Sequence, residues 1–154
     1  MKENFPFEIL IADRQKKARL SKAKIRRWSR RILNAAGRQE ATLSLVFVED
    51  REMRALHQRY LGKNSPTDVL AFGQKGKLLG DVVISVETAR RRAPEFGNRW
   101  DVELLLYLIH GILHLVGFRD SAPKEKRGMR GKEEEILNCL LGNSWRSKKL
   151  KPLF

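Results

Sequence analysis

The chain has 154 residues, room for one domain (residues 1–154) around a single hydrophobic core, and its 42% hydrophobic and 32% charged content excludes a disordered protein. Its 32 Lys and Arg outnumber 18 Asp and Glu, a net charge of +14 that favours polyanionic partners, with nucleic acid ahead of an anionic membrane. Cys139 is the one cysteine, so no intrachain disulfide can form; with no signal-peptide pattern and no apolar run near the ~20 residues of a membrane helix, the expected setting is cytoplasmic.

Residues 5–12 are apolar with strand-like content. Ser21 is placed to cap a helix running to about Ala36, with Gly37 as its stop. Ile25, Trp28, Ile32 and Ala36 share one face of that helix, and Lys24, Arg26, Arg27, Arg30 and Arg31 fan across the opposite one. Leu43, Leu45 and Phe47 alternate with Ser44 and Val46, which predicts a strand ending before Glu49. Residues 50–60 read as a short helix, and residues 68–72 and 82–86 as two short strands bounded by Gly or Pro. Asn98 is placed to cap a helix that Gly117 ends. Ser121 and Pro123 open a last one ending near Gly142, weakened by Gly128 and Gly131 at about 1 kcal/mol each. The pattern is α+β: about five helices packed on a small mixed sheet of about four strands, followed by a basic tail from about residue 143.

The segment from His110 to Asp120 carries the chemistry. Two histidines four residues apart stand on one face of a helix, about 6 Å apart along its axis, so two imidazoles can converge on one ion. Gly117 can take the left-handed conformation that ends a helix, and Asp120 can then return toward the histidines as a third ligand. Two imidazoles and a carboxylate with a vacant position suit a catalytic zinc, one per chain, whose bound water would ionise near pH 7, although other divalent ions could also occupy such a site. The spacing resembles the HExxHxxGxx(H/D) zinc helix of metzincin peptidases. Here, however, the position of their general base is Gly111, which cannot take a proton from water. Glu103, seven residues before His110, reads as a solvated first-turn residue favouring the helix dipole; its alternative role is to orient a histidine.

These residues together resemble the YbeY family, bacterial zinc-dependent endoribonucleases of ribosomal RNA maturation. The family's HGxLHLxGYDH motif is matched from His110 to Asp120. Its YRGKDxPTDVLSFP segment is matched from Tyr60 to Gly73, and its LGD-plus-strand segment begins at Leu79-Gly80-Asp81. The later MxxxE pattern falls on Met129 and Glu133. The resemblance implies an α+β fold with a zincin-like metal helix beneath a cleft. It also implies a single-stranded RNA substrate, particularly the 3′ end of small-subunit ribosomal RNA, with small-subunit proteins as neighbours. Two positions depart from the family. Asp120 stands where its third zinc ligand is a histidine, and Leu61 stands where it has an arginine implicated in cleavage. Arg59 and Lys63 are the nearby cations that could stabilise developing charge in its stead.

Between Arg14 and Arg31 there are ten Lys or Arg and no acid, and the tail after Asn143 adds Arg146, Lys148, Lys149 and Lys151. The basic face formed by Arg26, Arg27, Arg30 and Arg31, with Lys63 and the tail, is expected to follow an RNA backbone toward the metal. The expected function is a metal-dependent endoribonuclease. An RNA-binding ribosome-assembly factor with weak or no nuclease activity stands second, and a zincin-like peptidase third.

Overall fold

The computed structural model describes residues 6–62, 68–74 and 78–154. In chain order these form β1 (Phe7–Asp13), α1 (Lys22–Ala35), β2 (Ala41–Val48), α2 (Asp50–Leu61), β3 (Val69–Gly73), β4 (Leu78–Ser85), α3 (Val86–Arg92), α4 (Trp100–Leu115) and α5 (Pro123–Leu141). Short 3-10 turns occupy Ala93–Phe96 and Trp145–Ser147.

Local chemistry explains most boundaries. The Ser21 hydroxyl accepts the Lys24 N–H at 3.2 Å and starts α1. Pro123 sits in the first turn of α5, where its missing N–H has no partner to lose. The strand expected at residues 82–86 is longer on one side and shorter on the other. Ser85 ends it because its hydroxyl accepts the Thr88 N–H at 3.1 Å and opens α3. Asn98 does not cap α4; Arg99 holds that position, and the Asn98 amide donates to Glu103 at 3.1 Å.

The four strands run in the order β1-β2-β4-β3. The first three are mutually parallel and β3 lies antiparallel on the edge beside β4. Alternation along the strands divides the sheet into two faces. Phe7, Ile9, Leu43, Leu45, Phe47, Val82 and Ile84 pack into the main core with α1, α4 and α5. Val48, Leu70 and Val83 face the other way, under Met53 of α2.

Helix α4 is the buried centre. Leu104, Leu105, Leu108, Ile109, Ile112 and Leu113 are fully buried, and each such side chain contributes roughly 1.5–3 kcal/mol. Its close seat on the sheet requires Gly111: a Cβ there would stand 2.4 Å from Val82 Cγ1 and 3.1 Å from Val69 Cγ2. The side of the helix at position 111 therefore faces the sheet. A glutamate general base has no room at that position, which removes the structural basis of a metzincin-like peptidase.

The C-terminal residues are packed down rather than extended. Leu153 is buried; its N–H donates to Asp101 at 3.1 Å and its carbonyl accepts the Trp28 indole N–H at 2.7 Å. Arg99 holds the Leu150 carbonyl at 2.7 Å, and Arg146 makes a two-pronged contact with Glu134 at 2.7 and 3.0 Å. Trp145 and Leu153 find apolar surface near α1 and α4, so the tail is docked, with Arg146, Lys148, Lys149 and Lys151 on its exposed side.

Replacing Gly111 with Ala should lower stability by about 1–3 kcal/mol in urea denaturation, although alanine is the better helix former by about 1 kcal/mol. The added methyl meets Val82, which is itself fully buried and has nowhere to move. A variant as stable as the parent would show that α4 has slack against the sheet.

Candidate metal centre

The last turns of α4 carry His110 and His114, whose side chains are 25% and 29% exposed while most of the helix is sealed. The histidines therefore stand at the rim of the core. Immediately beyond them the helix closes in a Schellman turn. The Phe118 N–H reaches back to Leu113 O at 2.9 Å and the Gly117 N–H to His114 O at 3.1 Å. Gly117 has φ of 109°, a value that a side chain would strain. That reversal brings the Asp120 carboxylate back over the helix end.

Three ligand atoms meet there. His110 Nε2 and His114 Nε2 are 3.0 Å apart, and Asp120 Oδ2 is 3.3 Å from each. Ligands about 2.0–2.1 Å from a tetrahedral ion stand roughly 3.3 Å from one another, so this triangle has the dimensions of one face of such a site. The residues could hold a metal ion, and their partial exposure leaves the fourth position open to solvent. Donor chemistry agrees, since two imidazoles and one carboxylate suit a borderline divalent ion.

The nitrogen of His110 that turns away from the triangle is also committed. Nδ1 lies 2.6 Å from Glu133 Oε1 on α5. A proton held between them leaves the Nε2 lone pair directed at the cluster, which is how carboxylates orient metal-binding histidines. Burial works to lower the His110 pKa, yet the Glu133 hydrogen bond and the charges of Glu133, Asp68 and Asp120 carry it above the ordinary histidine value. The local field thus favours positive charge in a chain that is strongly basic overall.

Glu133 falls in the MxxxE pattern, which assigns it no role, and its place in helix α5 carries a further signal. It lies on the stripe of α5 that carries Met129, Ile136, Leu137 and Leu140, all buried. A carboxylate interrupting an apolar stripe needs a partner. Glu103, read as solvated or as a histidine-orienting group, is neither. It is 5% exposed and accepts from the Asn98 amide at 3.1 Å, at the opposite end of α4 from Asp120.

The remaining expected site residues that are described make contacts of their own. Arg59, in the last turn of α2, lies over the Tyr60 ring with 5.4 Å between guanidinium carbon and ring centre. Leu61 is exposed, and Lys63 lies outside the described residues. On α1, Arg27 and Arg31 are exposed whereas Arg26 and Arg30 are half-buried. Arg30 donates to Phe7 O at 3.4 Å, and Arg31 donates to Cys139 O at 3.5 Å. Cys139 lies six residues beyond Glu133, so this contact sits about 9 Å farther along α5.

Glu133→Ala should weaken metal affinity about 10–100-fold in a competitive chelator titration, with Glu133→Gln intermediate because an amide oxygen still accepts from Nδ1. Unchanged affinity in the alanine variant would mean that this carboxylate does not position the ligand.

Comparison with known proteins agrees with the motif reading. The family model described as Endoribonuclease YbeY matches residues 10–141. A protein named Endoribonuclease YbeY from Pelotomaculum thermopropionicum is 37% identical over 146 residues, covering 86% of this chain and 96% of that protein. Its namesake from Syntrophus aciditrophicus is 37% identical over 150 residues, covering 91% and 94%. One from Aquifex aeolicus is 38% identical over 131 residues, covering 81% and 87%. The solution structure of TM1509 from Thermotoga maritima has a TM-score of 0.64 at 26% identity, covering 90% of this chain and 92% of that one. The family match runs from within β1 through β2, β3 and β4 and the whole segment from His110 to Asp120, and the chain belongs to the endoribonuclease YbeY family.

Proposed function

We propose that the chain acts as a single-domain, zinc-dependent endoribonuclease on single-stranded RNA, with one ion held by His110, His114 and Asp120. The observation that carries this reading is the closure of those three ligand atoms into an open triangle within a chain of this family. A bound divalent ion would supply a water of lowered pKa and a Lewis acid for a phosphoryl oxygen. The chain's own contributions are positional and electrostatic. Glu133 keeps the proton on His110 Nδ1 and so directs Nε2 inward. The carboxylates of Asp120, Glu133 and Asp68 offset the charge of a bound cation, and Arg59 or Lys63 would neutralise charge developing on the phosphate.

The substrate proposed is ribosomal RNA, at the 3′ end of the 16S molecule, in maturation and ribosome quality control, with small-subunit proteins nearby. Membership of the family and the excess of 32 basic over 18 acidic residues support it. The cytoplasm is the corresponding setting; no helix among the described residues is long and apolar enough to cross a membrane. Leu61 favours a second reading. With leucine at the family's arginine position, the chain would bind RNA during ribosome assembly and cleave it weakly or not at all.

His114→Ala should remove both the bound metal, read by elemental analysis, and RNA cleavage, read on gels with and without chelator. Persistent cleavage by the metal-free variant would contradict the mechanism. Full metal content in the parent without cleavage would favour the assembly factor.

Changing Arg26, Arg27, Arg30 and Arg31 together to Gln should weaken RNA binding. It should also flatten the slope of log affinity against log salt, by about 0.7 for each phosphate that is no longer neutralised. An unchanged slope would place the RNA backbone elsewhere on the surface.

A further inference from the structure

Two large side chains at the end of α2 are left in water: Tyr60 is 54% exposed and Leu61 is 53% exposed. Tyr60 is not an isolated ring. Its centre is 5.2 Å from that of Phe72 on β3, at an interplanar angle of 60°, and the Arg59 guanidinium lies over it at 5.4 Å. An aromatic pair with a planar cation on top is a surface on which a nucleobase can stack. Each base offers a π-face, whatever its identity, and arginine planes serve as well as rings.

The edge strand that carries Phe72 is held by close packing. Gly80 on β4 is pressed from two sides: a Cβ there would meet the Phe72 carbonyl at 2.3 Å and Leu115 Cδ2 at 2.7 Å. Leu115 is the residue after His114. The backbone of β3 and the end of α4 thus both close on Gly80, while the Phe72 side chain, like Leu70 and Val83, lies on the α2 face of the sheet. β3 is an edge strand, so an RNA chain can pass round that edge from the α4 face of the sheet to the face that carries the Tyr60–Phe72 pair.

We propose that Tyr60, Phe72 and the Arg59 guanidinium form a stacking subsite for one base of the RNA strand, on the α2 side of the edge strand β3. This rests on the endoribonuclease reading. The occupant is a base rather than a peptide side chain for two reasons. The guanidinium beside the ring suits the phosphate that accompanies every base, and the basic chain selects polyanions. The subsite adds affinity without choosing sequence, because stacking reads no hydrogen-bonding edge.

The test uses the metal-loaded full chain, a short oligouridine as cleaved substrate, and an unlabelled strand of equal length that carries no bases as competing inhibitor. Tyr60→Ala should raise KM for the oligouridine about ten-fold, a typical loss for one stacked base, while the inhibition constant of the base-free strand stays put. Tyr60→Phe, which keeps the ring, should restore the parental KM. Tyr60 is half in solvent, so its replacement leaves the fold intact. A KM that does not move in Tyr60→Ala overturns the subsite, as does equal weakening toward both strands. Those results leave the nuclease standing. Failure of the metal-loaded parent to cleave any RNA overturns the nuclease reading and the subsite with it.

Discussion

The seat of α4 on the sheet is the constraint from which the functional geometry follows. A helix can come this close to β3 and β4 only with glycine at position 111, where any side chain would enter Val82. The same contact fixes the rotation of the helix. With position 111 turned to the sheet, His110 and His114 emerge along the rim, one turn apart and partly in solvent. The buried leucines and isoleucines of α4 each contribute more than glycine's helix penalty of about 1 kcal/mol, so the arrangement is stable despite it. Rigidity in the helix becomes precision in the ligands.

Beyond the helix, two separate elements complete the centre. The Schellman turn at Gly117 returns the chain so that Asp120 approaches both histidines, and α5 delivers Glu133 to the rear nitrogen of His110. These acids are conspicuous in a chain of net charge +14. Their concentration around the imidazoles produces a local negative field inside a positive envelope. Such a field holds a cation in place, and the envelope draws a polyanion toward it at long range, an attraction that salt screens. The two tendencies do not conflict, because the short-range field acts over hydrogen-bond distances and the envelope acts over a Debye length of about 10 Å.

Much of this could be read from residues alone where the cause is local. Ser21 caps α1, Pro123 starts α5 and Gly117 stops α4, each through interactions within a few positions. The His110, His114 and Asp120 trio is legible for the same reason, being eleven positions of continuous chain. Glu133 and Glu103 show the opposite. Helix periodicity puts Glu103 on the histidine face, but it ends up buried beside Asn98, at the far end of α4 from Asp120. Glu133 is 23 positions from His110, and only the packing of α5 against α4 brings them within 2.6 Å.

By itself the sequence determined the class of fold, the metal-binding segment, the basic face of α1 and the family, because composition, periodicity and motif spacing are properties of contiguous residues. Only the tertiary structure decided the strand order β1-β2-β4-β3, the docking of the C-terminal residues on α1 and α4, and the pairing of Glu133 with His110. It also decided that Tyr60 meets Phe72 on the α2 face of the sheet. These are contacts between segments far apart in the chain. Their selection depends on which apolar faces can be buried together at once, and no local pattern encodes that sum.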